Sequence, residues 1–132
     1  MGATNKILTK DFWQNRVREV MGISEPYLPD EVLEMPDIID VAESNIIDIV
    51  PGYKTIPKSK KVYLESATVC ECAILACDSM SARLPTKESG PHASFEIEVD
   101  WAEKKQELQD KRDVHLSKII GMPKPVYFAI TR

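Results

Sequence analysis

The sequence predicts a mainly α fold: a small bundle of about four helices, with a short β-strand or hairpin before the last helix and an extended C-terminal tail. Three observations predict it. Apolar residues recur at helical spacing in four separate stretches, and one of these is apolar over much of its circumference. A single stretch, Ser94 to Asp100, alternates with period two instead. Proline and glycine fall between these stretches, where breaks in regular structure belong. With 132 residues, 43% apolar and 29% charged, the chain has the length and composition of one globular domain. The bundle is expected to occupy residues 1–121, with residues 1–8 as an N-terminal arm. Residues 122–132 form the tail.

The elements follow in order. Thr9 is the expected cap of the first helix, with Asp11 in a first turn whose dipole favours negative charge. Phe12, Trp13, Val17, Val20 and Met21 make its apolar stripe, and Gly22 stops it. Pro26 and Pro29 mark a linker with room for one helical turn at Pro29–Leu33. Pro36 suits the first position of a second helix. Ile39, Ala42, Ile46, Ile49 and Val50 are its expected buried face, Asp37, Asp40, Glu43 and Asp48 its outward face, and Pro51-Gly52 its end. Ser59 is the expected cap of a long third helix over Lys60–Leu84. Leu64, Ala67, Val69, Cys70, Ala73, Ile74, Ala76, Cys77 and Met80 make it apolar on many sides, as a central helix is. Its small residues let neighbours approach closely.

A turn-rich loop from Pro85 to Pro91 leads to the alternating segment. Phe95, Ile97 and Val99 face one way; Glu96, Glu98 and Asp100 face the other. A lone strand leaves its backbone groups unpaired, so it needs a hairpin partner or another subunit. Asp100 caps the last helix, Trp101–Ile120, whose buried side draws on Trp101, Leu108, His115 or Leu116, Ile119 and Ile120. Glu107 and Lys111 are spaced as an i,i+4 ion pair, and Gly121 closes the helix. In the tail, Pro123 and Pro125 disfavour helix, whereas Val126, Tyr127, Phe128, Ala129 and Ile130 are β-prone and apolar. Such a segment suits docking by strand addition.

The chemistry-bearing residues have plain readings. Net charge is −4, against the basic face that a phosphate-gripping protein needs. Lys58, Lys60 and Lys61 cluster and read as a solvated helix start. Cys70, Cys72, Cys77, His92 and His115 are the soft ligands. Cys70 and Cys77 share a helix face and Cys72 points nearly opposite, which is not zinc-knuckle spacing; core packing of the thiols is the reading adopted. An odd cysteine count suits reduced thiols rather than a disulfide framework. No nucleophile elbow, P-loop, dinucleotide fingerprint or H-E-x-x-H occurs, so no enzyme activity, cofactor or metal is expected. Glu96 and Glu98 read as a solvated strand face; acidic groups lining a channel that DNA slides through are the alternative. No apolar leader and no run of about 18 apolar residues occurs, so neither secretion nor a membrane span is expected.

Four stretches carry a resemblance. They are Asp40–Tyr53 (D-V-A-E-S-N-I-I-D-I-V-P-G-Y), Leu64–Cys77 (L-E-S-A-T-V-C-E-C-A-I-L-A-C), Arg83-Leu-Pro85, and Phe95–Trp101 (F-E-I-E-V-D-W). In this order, over roughly Ile38 to Ile120, the chain resembles the head–tail connector proteins of long-tailed double-stranded DNA bacteriophages. These are also called adaptor or head completion proteins. The resemblance lies in pattern and element order, not in an invariant motif. It implies a non-enzymatic structural protein without a cofactor, made in the host cytoplasm and located in the virion at the head–tail interface, or neck. Its partners would be copies of itself in a dodecameric ring, the portal protein, and a stopper or tail-completion protein. DNA would pass through the channel without specific binding, and no membrane would be involved. By position, Val126, Tyr127, Phe128, Ala129 and Ile130 would dock on the portal. Phe95, Glu96, Ile97, Glu98 and Val99 would lie at contacts between subunits or with the stopper. The competing expectations are a small helical phage regulator that binds nucleic acid and a thiol-based redox protein using Cys70, Cys72 or Cys77.

Overall fold

A glycine ends the first helix where the spacing predicts. In the computed structural model, which describes residues 5–83 and 100–120, α1 runs Trp13–Met21 and stops at Gly22 in a left-handed conformation, φ 72°. The amides of Gly22 and Ile23 both donate to the carbonyl of Arg18, at 2.8 and 3.1 Å. This closes the helix in the manner that glycine permits.

The start of α1 differs from expectation. Phe12, not Thr9, holds the cap position. It does so in the left-handed region at φ 67° without a side-chain cap bond. That turn throws its ring outward, so Phe12 is 74% exposed while Trp13, Val17 and Met21 are buried. The apolar stripe therefore begins one residue later than periodicity implies, and Asp11 lies ahead of the helix rather than in its first turn.

A 3₁₀ turn at Glu25–Tyr27 and a short helix α2, Asp30–Leu33, occupy the proline-rich linker, with Pro29 just ahead of α2. Pro36 opens a π-helical turn, Pro36–Asp40, which runs straight into α3, Val41–Ile49. Ile38, Ile39, Ala42, Ile46 and Val50 are buried, and Asp37, Asp40 and Asp48 stay outside. Glu43 is the exception to the outward acidic face, being buried with 3% exposure.

The long helix α4 is Lys58–Arg83, beginning directly after Pro57. Ser59 thus lies within it rather than capping it. α1, α3 and the last helix, Trp101–Ile120, all pack against it, and the last helix makes the most extensive contact. Residues on every side of α4 are buried, including Leu64, Ala67, Thr68, Val69, Cys72, Ala73, Ala76 and Met80. A central helix needs this all-round burial, and small side chains at Ala67, Ala73 and Ala76 bring the neighbours close.

The last helix, α5, is Trp101–Ile120, with the bounds read from the sequence. Asp100 Oδ1 accepts from the amides of Ala102 and Glu103 at 3.1 and 3.2 Å, the cap its position predicts. Trp101, Leu108 and Leu116 are its buried side, whereas Ile120 remains 37% exposed. Glu107 meets Lys104 at 3.6 Å rather than Lys111.

All regular structure among the described residues is helical. The expected strand, with Phe95–Val99, and the expected tail, with Val126–Ile130, lie outside them, as do His92 and Gly121. Among the described residues no helix is long and apolar enough to cross a membrane.

Candidate functional site

Residues 5–8, read from the sequence as part of an arm, are packed in place. Ile7 and Leu8 are 5% and 2% exposed. The carboxylate of Glu43 accepts three successive backbone amides: Lys6 at 2.9 and 3.0 Å, Ile7 at 2.7 Å and Leu8 at 3.0 Å. Successive amides turned toward one point form a concavity that suits an anion. Here the anion is the protein's own side chain, supplied from α3. A buried charge persists only when its hydrogen-bonding capacity is met, and these amides meet it.

Two other buried charges are treated alike. Arg18, 6% exposed, donates to the carbonyl of Leu28 at 2.8 Å and to Asn15 Oδ1 at 2.6 Å. Its Nη2 also lies 2.8 Å from Asp30 Oδ1, as an ion pair. Arg18 thereby ties α1 to the linker. Glu71, also 6% exposed, accepts from Asn45 Nδ2 on α3 and from Arg112 Nη1 on α5, both at 2.9 Å. Arg112 Nε continues to Asp113 at 3.1 Å. Burial opposes the guanidinium charge, but the hydrogen bond and charge of Glu71, with Asp113 adding, hold its pKa above the ordinary value.

A groove of about 530 Å³ opens where α1, α4 and α5 meet. Each helix presents one face to it at i, i+3, i+4 spacing or near it. Val20, Val69, Cys70 and Val114 supply its apolar part; Arg16, Glu19, Asp110, Lys111 and His115 supply charged and polar groups. Arg16 reaches back to Glu65 and to Ser66 Oγ, at 3.4 and 3.3 Å.

Two residues singled out for chemistry, Cys70 and His115, line this groove. Burial pushes the Cys70 thiol up to about 11, despite the opposing pull of Lys111 and Arg112. Burial also lowers the pKa of His115, and Lys111, Lys118 and Arg16 lower it further. Its Nδ1 is buried without a hydrogen-bond partner, and its ring lies 6.2 Å from that of Tyr63. Both groups are therefore neutral near pH 7. The groove offers an apolar floor with mixed charges around it, the make-up of a surface that receives another segment.

Cys72 and Cys77 are buried elsewhere on α4. Burial raises the Cys72 pKa strongly, with Glu43 and Glu71 adding, and burial pushes Cys77 up to about 11. Thiols held protonated in this way pack as small apolar groups. Among the described residues no three His, Cys, Asp or Glu side chains gather as metal ligands would.

Sequence reasoning named Cys70 and His115 but not the groove, because its walls come from three helices remote in sequence. The usable signal was the polar and small residues Arg16, Glu19, Ser66 and Lys111 beside apolar positions on each helix. The expected interface residues Phe95–Val99 and Val126–Ile130 lie outside the described residues. No family model, curated protein or solved structure matches the chain.

Proposed function

We propose that the chain is a head–tail connector protein of a long-tailed double-stranded DNA bacteriophage. It acts as a ring-forming structural protein beneath the portal, where it extends the DNA channel and offers a platform for the stopper or tail. The observation that carries this reading is the order of elements across residues 38–120, on which the resemblance rests. The acidic α3 stops at Ile49 and is followed by Pro51-Gly52-Tyr53, the 26-residue α4 is central, and Asp100 opens the 20-residue α5. The α1/α4/α5 groove adds support, since a protein that works by assembly needs a surface that can receive a neighbour. Within this reading Val126–Ile130 docks on the portal, and Phe95–Val99 contacts adjoining subunits or the stopper.

The test is electron microscopy of the protein mixed with a portal ring from the same virus. The expected result is a new ring of density stacked on the portal, lost when residues 122–132 are deleted while the helical content of the protein is kept. Free monomers beside bare portals would refute the reading. Undiminished binding by the truncated chain would refute the role given to the tail.

A further inference from the structure

From Pro51 to Leu64 the chain carries four lysines, Lys54, Lys58, Lys60 and Lys61, and no acidic residue, in a protein of net charge −4. The fold brings a fifth to the same place. Lys6 of the N-terminal segment, Lys54 of the α3–α4 turn and Lys61 of α4 line one hollow of about 230 Å³ beside Tyr53. Lys6, Lys54, Lys58 and Lys61 are exposed. None of the five lysines forms an ion pair with another described residue. Lys54 Nζ instead lies 5.9 Å from the centre of the Tyr53 ring.

The nearby carboxylates are committed elsewhere. Glu65 also lines the hollow, but Lys10 and Arg16 each hold it at 3.4 Å. Glu43 is buried, its oxygens taken up by the Lys6, Ile7 and Leu8 amides. Local stability does not account for the lysines either. Lys58, Lys60 and Lys61 occupy the first turn of α4, which contains no acidic residue, and positive charge is disfavoured there. Three segments thus converge to leave a positive pole that no carboxylate among the described residues pairs, on a protein of net charge −4.

We propose that this pole is a contact surface for the phosphate backbone of duplex DNA. Lysine ammonium groups are mobile point charges that accept a row of phosphates without a fixed fork geometry. Release of counterions supplies affinity that depends on salt and not on base sequence. An acidic protein partner fits less well, because aromatic and arginine anchors dominate protein interfaces, whereas among the described residues the hollow is lined by three lysines, one tyrosine and no arginine. The inference does not rest on the connector reading, since it concerns the isolated chain.

The test uses the full chain and fluorescent duplexes of about 30 bp, with anisotropy read from about 50 to 200 mM salt. The expected result is binding at low salt that is equal for two unrelated sequences. Log affinity should fall against log salt with a slope of about −4.5, as one phosphate contact for each of the five lysines requires. The variant K54E/K58E/K61E should weaken binding at least about tenfold while its melting midpoint stays level or rises, because the new carboxylates suit a helix start. K104E/K105E/K118E changes net charge equally on α5 and should weaken binding far less. If the glutamate variant does not fold, K54Q/K58Q/K61Q should flatten the salt slope by about 3. No binding at low salt, equal losses in the two charge-reversed variants, or tighter binding of a polyglutamate peptide than of duplex would each overturn the proposal.

Discussion

Replacing Glu43 by alanine tests whether the first residues are part of the fold. The substitution removes the acceptor of three backbone amides, of which those of Ile7 and Leu8 are buried. The variant has two responses. If residues 5–8 stay docked, two buried amides go unpaired at about 1–3 kcal/mol each. If they detach, the burial of Ile7 and Leu8 is lost, about 1.5–3 kcal/mol each, and part is returned as chain entropy. The cheaper route sets the loss, so the expected cost is about 3 kcal/mol. With an unfolding entropy of about 2 cal/mol/K per residue, that lowers the melting midpoint by roughly 10 °C. Circular dichroism at 222 nm reads the midpoint, and limited trypsin digestion at Lys6 and Lys10 reads detachment. The decisive comparison is a double-mutant cycle with deletion of residues 1–8. In the shortened chain the Glu43 carboxylate has lost its donors, so Glu43→Ala should become neutral or stabilising. Costs that simply add, or a midpoint shift under about 3 °C, would refute the coupling.

Three further outcomes are expected. Glu71→Ala should cost about 2–3 kcal/mol in urea denaturation, because it strands the half-buried Arg112 and the Asn45 amide, whereas Glu71→Leu combined with Arg112→Met should cost much less. The cysteines should resist iodoacetamide at pH 7.5 in the native state and react fast in denaturant. With Cys70 and Cys77 pushed up to about 11 and Cys72 raised as well, their stabilising contribution is complete below the ordinary thiol pKa of about 9. It should fall away as pH climbs from there toward 11, and a Cys→Ala series should flatten that fall. Phe12→Asn should leave the melting midpoint unchanged or raise it, by up to about 1 kcal/mol of stability. The ring buries little, and asparagine tolerates the left-handed backbone better.

Helix limits were largely legible because local chemistry sets them. Asp100 ahead of α5, Gly22 after α1 and Pro29 ahead of α2 each act within a few residues. Phe12 misled because helical spacing assumes the helix has begun, and a left-handed residue turned the ring away. The buried charges were illegible for a different reason. Glu43, Glu71 and Arg18 look like solvent-facing residues until partners 36, 41 and 10 positions away arrive. Spacing along one helix carries no information about those partners. The groove had the same character: Cys70 and His115 stood out as soft ligands, but their shared location depends on how α5 lies along α4.

The Asn45–Glu71–Arg112 connection has a consequence for alignment. Around Ala67, Ala73 and Ala76 the surface of α4 is smooth, and a smooth surface allows a partner helix to slide or rotate at little cost. Sliding α5 by one helical turn moves it about 5.4 Å, far beyond the reach of a 2.9 Å bond. The guanidinium of Arg112 would then keep only Asp113, and the buried Glu71 carboxylate only the Asn45 amide. This buried polar junction therefore favours one register out of several that apolar contact alone would tolerate. It also explains how a helix rich in alanine and cysteine can give every copy of the chain the same shape, which any assembly of identical copies requires.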